Sequence, residues 1–156
     1  FPTIPASGNT ALPSPTSASS IPTAILSTQV VKTPVVYATA APVVKPAVYV
    51  LHQGEYPYCL ARRFNVNPEE LLTLNGLSSS QSEYTPGTSI TIPSSGGTWP
   101  GTRALKNHPA QYIVETGDTI YSIACEFGDA DPMAIASVNG LSGDYSLTAG
   151  TAIQIP

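Results

Sequence analysis

The sequence predicts an α+β protein: two small units of the order strand–helix–helix–strand, carried behind a long extended arm rich in Pro, Ser, Thr and Val. Three observations predict it. A stretch of about 45 residues occurs twice. Helix start and stop signals recur at matching places in both copies. The composition changes near residue 47, with all ten carboxylates following residue 50.

The arm comes first. Residues 1–47 hold half of the 16 prolines and 13 Ser or Thr, and their only charges are Lys32 and Lys45. Residues 1–22 read as a polyproline-type segment. Further on, Val30-Val31-Lys32-Thr33-Pro34-Val35-Val36-Tyr37 echoes Val43-Val44-Lys45-Pro46-Ala47-Val48-Tyr49. The second echo runs into the first strand of the first unit, whereas the first has no partner of its own. Val30, Val31, Val35, Val36, Tyr37, Val43 and Val44 are therefore expected to dock by adding a strand to an exposed sheet edge, with another copy of the chain as host.

The two units follow at 48–93 and 111–156, joined by a linker at 94–110. Tyr49-Val50-Leu51 and Tyr112-Ile113-Val114 are short apolar strands ahead of turns at Gly54 and Gly117. Asp118-Thr119 starts a helix on which Ile120, Ile123, Ala124 and Phe127 share a face. The first copy has Pro57 at that start, where a missing N–H costs little. Asn67-Pro68-Glu69-Glu70 and Asp131-Pro132 open a second helix, and Asn75-Gly76 and Asn139-Gly140 end it. Ile90 with Ile92, and Ile153 with Ile155, alternate as closing strands.

This pattern resembles the LysM module, a small glycan-binding domain. The motifs that carry the resemblance are Gly117-Asp118-Thr119-Ile120, Ile123-Ala124, Phe127, Asn139-Gly140-Leu141 and Gly150 with Ile153-Gln154-Ile155-Pro156. The first copy matches at Gly54-Glu55, Leu60-Ala61, Phe64, Asn75-Gly76-Leu77, Pro86-Gly87 and Ile90-Thr91-Ile92-Pro93. The resemblance implies a shallow groove for N-acetylglucosamine polymers, as in peptidoglycan or chitin. Its walls are the loop after the first strand and the loop after the second helix. The matching positions are Gly117, Asp118, Thr119, Ile120, Leu141 and Ser142 in module two. In module one they are Gly54, Glu55, Tyr56, Pro57, Leu77 and Ser78. A competing account makes Gly, Asp and Thr only turn and cap residues.

Cys59 and Cys125 lie on the first helix of their respective modules. Three states are open: a bridge between modules, an intermolecular bridge, or two buried thiols. Trp99, the only tryptophan, either packs between modules or stacks on a sugar. The acids of module two read as a solvated face.

Several classes are excluded. His52 and His108 are the only histidines, and no His/Cys/Asp cluster has metal spacing. No enzyme, cofactor or metal is expected. The net charge of −4 argues against nucleic acid, and no run of ~18 apolar residues spans a membrane. The start at Phe1 without Met reads as an exported chain, extracellular or at the cell surface after signal-peptide removal. The function expected is a non-catalytic structural protein whose arm docks on neighbouring copies to build a filament. The alternative is a cell-wall glycan-binding protein with the arm as a spacer.

Overall fold

Pro57, Pro68 and Pro132 each open a helix in the computed structural model, which describes residues 43–81 and 84–156. Module one consists of β1 (Val48–Val50), α1 (Pro57–Arg63), α2 (Pro68–Leu74) and β2 (Ser89–Thr91). Module two repeats the order with β3 (Ala110–Ile113), α3 (Ile120–Phe127), α4 (Pro132–Val138) and β4 (Ala152–Ile155). Both belong to one compact unit of the chain. Val30, Val31, Val35, Val36 and Tyr37 lie outside the described residues.

Local chemistry explains the helix boundaries. The Asn67 side chain accepts from the amides of Glu69 and Glu70, and Asp131 accepts from Met133 N. Thr119 and Ser122 form a reciprocal capping box at the start of α3. Tyr56 holds the equivalent place in module one without a side-chain cap, and Pro57 follows it. Gly76 and Gly140 stop α2 and α4 at φ of +63° and +64°.

Each module closes as an antiparallel pair, with Tyr49 opposite Ile90 and Tyr112 opposite Ile153. Two separate apolar cores result. Leu51, Leu60, Leu71, Ile90 and Ile92 build one; Ile120, Ile123, Phe127, Ile135, Ile153 and Ile155 build the other. The strand ends also explain a one-residue offset from expectation. Leu51 N still bonds to Thr88 O after β1 ends, and Val114 N to Thr151 O after β3.

The asparagines that end the second helices do a further job. Asn75 donates to the Leu71 and Thr91 carbonyls and accepts from Thr91 N. Asn139 does the same with Ile135 O, Gln154 O and Gln154 N. Each amide thereby straps its helix end to the outer edge of the closing strand. The opposite edges differ. Main-chain bonds at Ala47 and Leu51 fix the alternation along β1, so Val48 and Val50 turn their peptide groups away from β2. Both side chains are exposed, as is Ile113 on β3.

The modules meet through α1 and α3. Cys59 and Cys125 form a disulfide with Cα atoms 5.2 Å apart, which resolves the three states left open by the sequence. Arg63 lies beside it, its Nη2 3.5 Å from Cys59 Sγ and 3.8 Å from Cys125 Sγ.

The linker is bonded to both modules. Asn67 N donates to Gly97 O, and Gly97 N donates to the Glu70 carboxylate. Trp99 packs on the core of module one beneath the Arg62 guanidinium, 4.3 Å from its ring centre, with Tyr58 at its edge. It thus joins one module, not the seam between the two. Arg103 donates to Arg63 O and pairs with Asp129; Lys106 pairs with Glu126. His108 donates from Nδ1 to Pro156 O, and its Nε2 is 3.0 Å from Asp129. The acidic face expected on module two therefore carries cations brought by the linker.

Candidate functional site

In module two the loop after β3 and the loop after α4 face one another. Gly117, at φ +93°, turns the first loop. Asp118 Oδ2 then accepts from the Tyr112 hydroxyl at 3.0 Å and from Glu115 N at 2.8 Å. That carboxylate holds the turn closed. Thr119 Oγ1 accepts from Ser122 N and donates to Gln53 O of module one at 3.0 Å. Across the gap, Tyr145 adopts φ +54° and its amide donates to Ser142 O, while Ser146 bonds to Asp144. These bonds shape the second wall, and those from the Ser146 hydroxyl and amide hold the Asp144 carboxyl below the usual carboxylate range.

Between the walls is a cavity of about 390 Å³ lined by residues 118–121 and 144–147, with His52 and Gln53 of module one closing one side. The Tyr121 ring stacks on the His52 imidazole with centroids 3.7 Å apart and planes 3° from parallel. Burial, followed by the neighbouring Tyr145, raises the Tyr121 phenol above its ordinary pKa.

Of the positions singled out by resemblance, Asp118, Thr119 and Ile120 line this cavity. The Ile120 side chain is sent into the core. Leu141 packs half-buried against that core, and Ser142 braces the second loop through its carbonyl. Gly117 is exposed at the rim. Tyr121, Asp144, Tyr145, Ser146 and Leu147 were not anticipated. One signal was present: Tyr58 and Tyr121 occupy the same place in the repeat, an aromatic in both copies.

Module one corrects two expectations. Glu55 does not offer its carboxylate to a sugar: its side chain is 0% exposed and lies 2.6 Å from Arg63 Nη1. It also accepts from the Tyr49 hydroxyl and from His52 N, the bonds that Asp118 makes to Tyr112 and Glu115. An acid at this position ties the turn in both copies. Pro57 is likewise buried. A Cβ built on Gly54, at φ +87°, would stand 2.5 Å from Ser122 Cβ, so this loop abuts α3 on that side. Tyr56 is exposed, Leu77 is half-buried on the core, and the Ser78 hydroxyl bonds to Ser80.

A second, more apolar cavity of about 570 Å³ lies between the modules, and Val43, Val44, Tyr49, Phe64, Pro132 and Met133 are among its walls. The two arm valines within the described residues thus face a cleft of their own chain, outside any strand. Glu55 and the two cysteine sulfurs also cluster. The sulfurs are spent in the disulfide and Arg63 supplies the counter-charge, so the trio is not a metal site.

Residues 49–93 and 112–156 match the LysM domain family. With both modules matched over more than half of its length, the chain belongs to that family. The Lipoprotein NlpD/LppB homolog of Pseudomonas aeruginosa is 52% identical over 44 residues, 28% of this chain and 14% of that protein. Among solved structures, the spore cortex-lytic enzymes SleL of Bacillus megaterium QM B1551 and Bacillus cereus share 26% and 23% identity. Each match covers 70% of this chain and 22% of the enzyme, with a TM-score of 0.28. The chain thus spans about a seventh to a fifth of the length of these relatives.

Proposed function

We propose that this protein binds cell-wall glycan, polymers containing N-acetylglucosamine such as peptidoglycan or chitin, and that it catalyses no reaction on them. It works at the cell envelope or outside the cell. The observation that carries this reading is the cavity between the two loops of module two, in a chain whose family the resemblance ties to such polymers. Asp144 and Gln53 there offer hydroxyl and acetamido partners, while Tyr121 and Tyr145 offer apolar rings. Purified protein is expected to pellet with insoluble peptidoglycan or chitin and to be released by soluble N-acetylglucosamine oligomers. Recovery entirely in the supernatant with both polymers overturns the reading.

Assembly into a homopolymer through the arm is the second reading. The outward-facing edge of β1 at Val48 and Val50 favours it, since such an edge accepts an added strand. Light scattering of the full chain tests it: polymers support assembly, and a monomer at all concentrations removes it.

A further inference from the structure

We infer that the module-two groove is a composite site, with module one supplying one wall and a ligand-contacting residue, His52. This rests on the glycan-binding reading above and deepens it.

Three contacts bring module one to the groove. Gln53 O accepts from Thr119 Oγ1, the residue that caps α3. The imidazole of His52 lies flat on Tyr121 at 3.7 Å. Gly54 comes so close to Ser122 that its missing side chain makes room for the approach. The disulfide one turn further along α3 fixes the same juxtaposition covalently. His52 and Gln53 then line the cavity together with residues 118–121.

The chemistry of this wall differs from that of a lone module. The face-to-face stack leaves the imidazole and the phenol one flat outer face each, with a polar imidazole nitrogen at the margin. A pyranose ring has an apolar face for such a surface and hydroxyls for the nitrogen. Thr119, at the centre of the groove, spends its hydroxyl hydrogen on Gln53 and keeps it from the sugar. The ligand class is therefore a β-linked N-acetylhexosamine chain that leaves module two and crosses onto module one. Specificity at that end is set by a residue outside the module that holds the groove.

The full-length protein titrated with chitohexaose tests this, read by calorimetry and by the ring signals of His52 and Tyr121 in NMR. His52→Ala is expected to weaken binding about three- to tenfold, the range for losing one aromatic contact. His52→Phe, which keeps the stack, is expected to recover most of that loss. The His52 ring signals should move on titration along with those of Tyr121. Wild-type affinity in His52→Ala, with His52 signals unmoved while Tyr121 and Tyr145 respond, overturns the composite wall and leaves glycan binding standing. Absence of any response to chitohexaose in the wild-type protein removes the composite wall, while the glycan-binding reading stands or falls by the pelleting assay.

Discussion

Arg63 Nη1 and Glu55 Oε1 are 2.6 Å apart, with 1% and 0% of their side chains exposed, directly beside the bridge between the modules. Arg63 also donates to the Tyr49 hydroxyl at 3.2 Å. A charge pair so fully removed from water is worth keeping only while both members are present.

Removing one member is therefore expected to be severe. Arg63→Met or Glu55→Gln should each cost about 3–5 kcal/mol, because an uncompensated or orphaned polar group stays buried. The double variant Glu55→Gln/Arg63→Met should be more stable than either single one, since it removes both charges and keeps an acceptor for His52 N. Urea unfolding midpoints measure all three, and additive losses in the double variant contradict this account.

The asparagine straps give a second test. Asn75→Ala and Asn139→Ala each delete three hydrogen bonds and leave strand groups at Thr91 or Gln154 without their partner. Each is expected to cost about 1–3 kcal/mol. Hydrogen exchange should quicken at the Thr91 amide in the first and at the Gln154 amide in the second, with the other module unchanged.

The disulfide closes a separation of 66 residues. Cys59→Ala/Cys125→Ala is expected to lower stability by about 2–4 kcal/mol. Since each module has its own core, one unfolding transition should split into two. Calorimetric scans of oxidised protein and variant compare them, and a single unshifted transition in the variant counts against the bridge as the coupling element.

Alkaline pH probes the phenols. Burial is the first cause that raises Tyr49 and Tyr112 above the ordinary tyrosine pKa; Arg63 partly opposes it for Tyr49, and the bond to Asp118 adds to it for Tyr112. A folded-state pKa above the unfolded value, about 10, means the folded chain holds those protons more tightly. Their contribution is complete below about pH 10 and is lost as pH rises through the folded-state values. Phenolate absorbance should therefore develop in two stages, the late stage coinciding with unfolding. Tyr112→Phe should reduce the late stage.

The module architecture was legible because its causes are local. Prolines at 57, 68 and 132, the Asn67 and Asp131 caps, and Asn-Gly at both second-helix ends each act within a few residues of themselves. The groove was legible only in part. Resemblance located Asp118, Thr119 and Ile120, but gave Glu55 a contact role when its spacing from Tyr49 makes it a turn tie. Tyr145 and its neighbours were missed, because they line the cavity through a loop with no periodic signal. His52 and Gln53 could not be found from either module alone, since their place depends on how two repeats, each with its own core, dock. Trp99 went to module one because the Arg62 guanidinium offered its ring a partner there.

One consequence follows from where the sulfur atoms sit. Cys59 and Cys125 are 3% and 4% exposed, and a guanidinium roofs the pair. Thiolate exchange needs a nucleophile in line with a sulfur, and here none can arrive until the repeats part. Small reductants should thus act at the pace of spontaneous opening, indifferent to their own concentration once opening is the slow step. The crosslink behaves as a rivet, lasting as long as the plates it joins stay closed.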